Sequence, residues 1–206
     1  MKQRLIVGIS GASGVIYGIR LLEVLHHRRG IETHLVLTKP AERTIVEETD
    51  WRVEDVKALA TIAHSPSDIG ASIASGSFQT AGMAVIPCSI HSVSAIAYCQ
   101  GDNLLTRAAD VTLKERRKLV LVVREAPFHR GHLKSMLEAT EAGAIILPPM
   151  PAFYGRPKTL DDVINHTVGR VLDQFGLTHN LVERWGESPG RKRVQAGTNR
   201  LARPPR

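Results

Sequence analysis

Residues 4–22 read Arg4-Leu-Ile-Val-Gly-Ile-Ser-Gly-Ala-Ser-Gly-Val-Ile-Tyr-Gly-Ile-Arg-Leu-Leu22, and the fold class follows from this stretch. Leu5, Ile6, Val7 and Ile9 form an apolar run that breaks into a Gly/Ser loop. Beyond it, Val15, Ile19, Leu22 and Leu25 recur at helical spacing. The order is strand, tight loop, helix. Gly8, Gly11 and Gly14 let the backbone turn sharply and approach a ligand, while Ser10 and Ser13 bring hydroxyls to the unpaired amides of the helix start. Such a loop suits a phosphate. A dinucleotide loop would need a glycine where Ser10 stands, and an acid after the second strand, which instead ends Leu35-Val-Leu-Thr-Lys39. No Gly-Lys-Ser/Thr follows, so a Walker loop is excluded. A mononucleotide or another phosphate ester remains, beside a plain Gly-rich turn without ligand.

Outward from that unit, Glu32–Thr38 predicts a strand and 40–48 a helix with proline in its first turn. Val53–Ala60 has helical character, and Ser65-Pro-Ser-Asp68 is a turn or cap. Met83-Ala-Val-Ile-Pro87 is a short buried strand stopped by proline, and Cys88-Ser-Ile-His-Ser92 opens a helix reaching about Tyr98. Leu104–Arg117 is helical, with Leu105, Ala108, Val111 and Thr112 on one side. Lys118–Arg124 is a strand whose apolar centre suits a sheet covered on both faces. A helix over 131–142, a strand Ala144–Leu147, a rigid proline loop over 148–157 and a Thr159-capped helix to Gly176 complete the chain. The alternation predicts a single doubly wound parallel α/β sheet, Rossmann- or flavodoxin-like, over residues 1–185. Its ligands bind at the carboxyl ends of the strands.

With 206 residues and 43% hydrophobic content, one well-buried domain is expected. No run approaches the length of a membrane span, and Met1-Lys-Gln-Arg4 leads directly into a strand, so a cytoplasmic protein without membrane association is expected. Of the net charge of +7, +5 lies in residues 186–206, a Gly/Pro-rich stretch expected to be a disordered tail. The nearly balanced remainder argues against nucleic acid as a partner. Cys88 and Cys99 lack a redox or disulfide spacing and are expected to be reduced and packed. His129 and His132 have a metal-like spacing but no third ligand nearby, and Trp51 and Trp185 read as packing or interface residues.

Five segments, Gly8-Ile-Ser-Gly-Ala-Ser-Gly14, Pro87-Cys-Ser89, Asp102–Leu119, Arg124-Glu-Ala-Pro127 and Pro148-Pro-Met-Pro-Ala-Phe-Tyr154, together resemble the flavin prenyltransferases of the UbiX/Pad1 type. The likeness covers about residues 3–185 and excludes the basic tail. It implies that flavin mononucleotide (FMN) is prenylated by dimethylallyl phosphate at N5 and C6, the prenylated FMN serving a partner decarboxylase of the UbiD type. It also implies a homo-oligomer, typically a dodecamer with sites at subunit interfaces. Carried over by motif, the flavin site comprises Gly11, Ala12, Ser13, Thr38, Ser89, Ile90, His91, Ser92 and Arg124. The prenyl-phosphate and catalytic set comprises Lys114, Glu125, Tyr154 and Arg170, with Arg107 nearby and Glu48 facing the pocket. No D-D-x-x-D cluster is present to hold magnesium on a diphosphate, and a metal-independent reaction is implied. One departure stands out: His91 occupies a position where many members carry lysine, which lowers the charge offered to the flavin. Alternative functions are an FMN-dependent decarboxylase, of the aromatic-acid or cysteine type, and a non-catalytic flavin carrier.

Overall fold

The computed structural model describes residues 2–182 and 184. Its strands are β1 (Gln3–Ile9), β2 (Ile31–Leu37), β3 (Ile62–His64), β4 (Gly82–Cys88), β5 (Lys118–Val123) and β6 (Ala144–Ile146). Its helices are α1 (Val15–His26), α2 (Lys39–Glu48), α3 (Val53–Ala58), α4 (Ile90–Ala97), α5 (Leu104–Lys114), α6 (Arg130–Glu141) and α7 (Leu160–Gln174). All strand pairs are parallel, in the order β3-β2-β1-β4-β5-β6. The order reverses between β1 and β4, which makes that junction the switch point of a doubly wound sheet.

Two apolar layers follow from the two-residue period of the strands. Leu5, Val7 and Ile9 face one side, with Leu35, Leu37, Ala84, Ile86, Val120 and Val122, and are covered by α1, α2, α3 and α7. Ile6, Val36, Met83, Val85, Leu119 and Leu121 face the other, under α4, α5 and α6. With both faces covered, β4 is buried throughout, and the alternation read in β2 concerns facing rather than exposure. The buried His34 is satisfied within this framework. Its Nε2 donates to Glu32 at 2.9 Å, and its Nδ1 shares a 2.9 Å hydrogen bond with His64 Nε2.

Several boundaries differ from the sequence reading. β4 runs through Pro87 to Cys88, because its register against β5 shifts between Val85 and Cys88, where the missing proline donor is tolerated. β3 is only three residues long, too short to announce itself by periodicity. Helix α5 ends at Lys114, and Arg116 then adopts φ 57 to turn the chain into β5. The proline loop contains a 3₁₀ turn at Phe153–Gly155. Cys88 is buried, with its thiol pushed up by desolvation, but Cys99 is exposed and not packed as expected. Thr159 caps α7 as expected, in a reciprocal box with Asp162. Trp51 packs against the first apolar layer, whereas Trp185 and the tail over 186–206 lie outside the described residues. Among the described residues no helix is long and apolar enough to cross a membrane.

Candidate active site

The loops that leave β1 and β4 are knotted together by one serine. Ser10 is 1% exposed; its hydroxyl donates to the Pro87 carbonyl at 3.0 Å and accepts from the Ser89 amide at 2.7 Å, while its own amide donates to Pro87 at 3.2 Å. The expectation that Ser10 serves the free amides of α1 is thereby corrected: its hydrogen bonds fix the switch point instead. Replacing Ser10 by alanine leaves the Ser89 amide without its acceptor, and we expect a stability loss of about 1–3 kcal/mol, measured by urea unfolding, together with weaker flavin binding. Unchanged unfolding and binding would show that this tie does not hold the loops.

Around that knot three helices start at the carboxyl ends of β1, β2 and β4. Gly14 is the N-cap of α1 and has φ 94, a conformation that a larger residue would adopt only with strain. Thr38 caps α2 through the Ala41 amide at 3.3 Å. Ser89 caps α4 through the Ser92 amide at 3.2 Å, and the two serine hydroxyls lie 3.1 Å apart. Positive helix ends and amide donors are thus gathered on one rim. In the first loop Gly11 is exposed and lies close against Pro40, Ala12 is buried, and the exposed Ser13 precedes the α1 cap. Ile90 and the exposed His91 occupy the first turn of α4.

Two charged residues reach this rim differently from one another. Glu48, the last residue of α2, accepts the Gly14 amide at 2.7 Å, which places a carboxylate at the positive end of α1. Arg124 follows β5, its amide donating to Cys88 O at 3.1 Å. Its exposed guanidinium makes no ion pair or hydrogen bond with the described residues, leaving a cation available to an anionic ligand. Glu125 follows directly, its carboxylate accepting the amide of Ala126 at 3.1 Å. The donors and the unpaired cation suit the phosphate of a mononucleotide.

The remaining residues stand apart. Tyr154, in the 3₁₀ turn, places its hydroxyl 3.1 Å from His166 Nε2 on α7. Arg170, one turn further along α7, pairs with Asp173 at 3.1 Å, and Asp173 also holds His179 and Arg184. Arg107, in the first turns of α5, pairs with Asp110 at 2.9 Å. Lys114 departs most from expectation. It ends α5, bonded to Glu115 at 2.5 Å and packed near Gly76, on the segment that leads into the start of β4. That is the amino edge of the sheet, opposite the rim that carries Arg124 and Glu125 within the same chain. His129 caps α6 through the Gly131 amide and stacks near His132, and among the described residues no cluster could hold a metal.

The flavoprotein family matches residues 1–172. Over 182 residues, 88% of this chain and 93% of the relative, the sequence is 61% identical to the flavin prenyltransferase UbiX of Thauera aromatica. The chain is a member of the flavin prenyltransferases. This flavin prenyltransferase superposes with a TM-score of 0.88 on AnUbiX (PadA1) in complex with FMN and dimethylallyl pyrophosphate, at 48% identity over 90% of this chain and 98% of that one. A dodecameric FMN-dependent UbiX-like decarboxylase from Escherichia coli O157:H7 gives a TM-score of 0.87 at 51% identity, over 89% and 99% of the two chains. Of the groups that matter to its geometry, Ser10 as the knot and His166 as the neighbour of Tyr154 escaped the motif reading. Only the i, i+4 spacing of His166 and Arg170 signalled the latter.

Proposed function

We propose that this enzyme transfers the dimethylallyl group of dimethylallyl phosphate to N5 and C6 of reduced FMN, and that the prenylated product serves a UbiD-type decarboxylase in the cytoplasm. The rim at the β1–β4 switch point supports this reading most: three helix starts, the Ser89–Ser92 hydroxyls and the unpaired Arg124 converge where a nucleotide phosphate and an anionic leaving group need donors. Reduced flavin supplies an electron-rich acceptor. Gly11, Ala12, Ser13, Thr38 and residues 89–92 bind and orient it by backbone amides and hydroxyls.

Cleavage of the allylic C–O bond gathers negative charge on the departing phosphate, and cations with preorganised donors stabilise that charge without a metal. In this proposal Arg124 fills this role together with Tyr154 and Arg170, which stand apart from it within one chain and reach the phosphate from a neighbouring copy, and Glu125 accepts the proton released when the flavin ring rearomatises. Glu48 holds the α1 amide from the flank. Lys114 completes the phosphate site from a neighbouring copy, since its own rim lies at the other end of the sheet; Arg107, on the same helix, accompanies it. A homo-oligomer is therefore part of the active enzyme in this proposal.

The decisive measurement mixes the purified protein anaerobically with reduced FMN and dimethylallyl phosphate and weighs the extracted flavin. A gain of one C5H8 unit is expected. Tightly bound but unmodified flavin, or carbon dioxide released from an acid by the protein alone, would overturn the assignment in favour of a carrier or a decarboxylase.

A further inference from the structure

His166 stands between the two residues assigned to the prenyl phosphate. Its Nε2 is 3.1 Å from the Tyr154 hydroxyl, with the rings edge to face at 5.9 Å between centroids. Arg170 lies four residues on along α7, on the same face of the helix. Tyr154 and His166 line a cavity of about 300 Å³ together with Lys158, Asp162, Leu181 and Val182. We infer that His166 is a positioning residue that turns the Tyr154 hydroxyl toward the departing phosphate. This inference rests on the prenyltransferase reading and on the role given there to Tyr154.

One proton decides which way the hydroxyl points. Partial burial first, and the neighbouring Arg170 charge second, hold the imidazole pKa below its ordinary value against the opposing pull of Asp173. His166 is therefore a neutral ring near pH 7, with a single N–H. If that hydrogen is on Nδ1, Nε2 accepts the phenol hydrogen, and Tyr154 has nothing to donate to a phosphate oxygen. If it is on Nε2, the ring donates to the phenol oxygen and frees the phenol hydrogen for the phosphate. A docked phosphate selects the second arrangement, because only there is its oxygen met by a donor. A neutral imidazole gives up no net proton in this exchange, so His166 steers the hydroxyl and leaves the chemistry to the groups around it.

A double-mutant cycle between His166 and Tyr154 tests this coupling. With the intact chain and dimethylallyl phosphate as probe, we expect His166→Leu to lower kcat/KM about tenfold, with FMN binding and thermal unfolding unchanged. His166→Gln, whose amide can also donate at that reach, should recover most of the loss. In a Tyr154→Phe background, His166→Leu should cost nothing further. Full activity in His166→Leu, or an equal loss in both backgrounds, would overturn the inference while leaving the prenyltransferase assignment intact. Wild-type protein that leaves FMN unprenylated would overturn the assignment and the inference together.

Discussion

Coexpressed subunits carrying Lys114→Ala and Glu125→Gln regain prenyl transfer that neither variant supports alone. The expectation follows from the length and direction of α5. An 11-residue helix spans about 16 Å, and α5 runs from its Asn103 cap to the amino edge of the sheet, whereas Glu125 follows the carboxyl end of β5. One chain cannot bring the two side chains to one phosphate. If Lys114 serves a neighbour, random mixing leaves about a quarter of the sites with both native residues, and activity returns to about that fraction of wild type. Each variant alone should lose at least about a hundredfold, the scale set by removing a preorganised charge or a proton acceptor. The readout is prenylated flavin per subunit in the mixed oligomer. Mixed oligomers as inactive as their parents would show that one and the same chain supplies both residues to a site.

Gly18→Ala should be the most damaging small substitution beneath the flavin rim. In an exposed helix the change would stabilise by about 1 kcal/mol, since glycine is the poorer helix former. Here the added methyl lands on the carbonyl oxygen of Ile86 and within 2.7 Å of Ile9 Cδ1. A strand carbonyl in mid-sheet cannot step aside as a side-chain tip can, and overpacking of this kind costs about 1–3 kcal/mol or more. The clash outweighs the propensity gain, and a net loss of about 2 kcal/mol is expected, a fall of about 4–8 °C in Tm. Ile86 adjoins the Pro87 carbonyl held by Ser10, so flavin affinity should fall with stability. A variant as stable as the parent would show that α1 can lift from β4 at little cost.

Much of the architecture was legible because its signals are local. The first βα unit announces itself through β-branched residues, glycines and helical spacing, and the same is true of β5, whose six residues are nearly all apolar. Thr159 caps α7 as its short polar side chain suggests, and Thr38, Ser89 and Asn103, not read as caps, do the same for α2, α4 and α5. What escaped depends on distant pairings. β3 exists because β2 offers it a parallel edge over His34–Val36, which three residues of sequence cannot signal. Pro87 remains in a strand because a register shift tolerates it. Ser10 reads as a loop hydroxyl until Ser89, 79 residues away, is brought against it.

The site was legible in the same uneven way. Gly11–Ser13, Thr38, Ser89–Ser92 and Arg124 gather on one rim because all follow strand ends of one parallel sheet. Lys114 belongs to no strand end, and its place follows from helix direction rather than from the motif that contains it.

The two outermost strands, β3 and β6, are three residues each. A long flat border would offer a row of unpaired amides and carbonyls to any other chain, and such borders are where sheets fuse and aggregate. Were copies of this chain to assemble, as the proposed function requires, that hazard would grow with every added subunit. Trimming both borders to three residues leaves little backbone for a foreign strand to zip onto. Any chain that meets this one is thereby steered to its helices and loops, where side chains decide which face meets which.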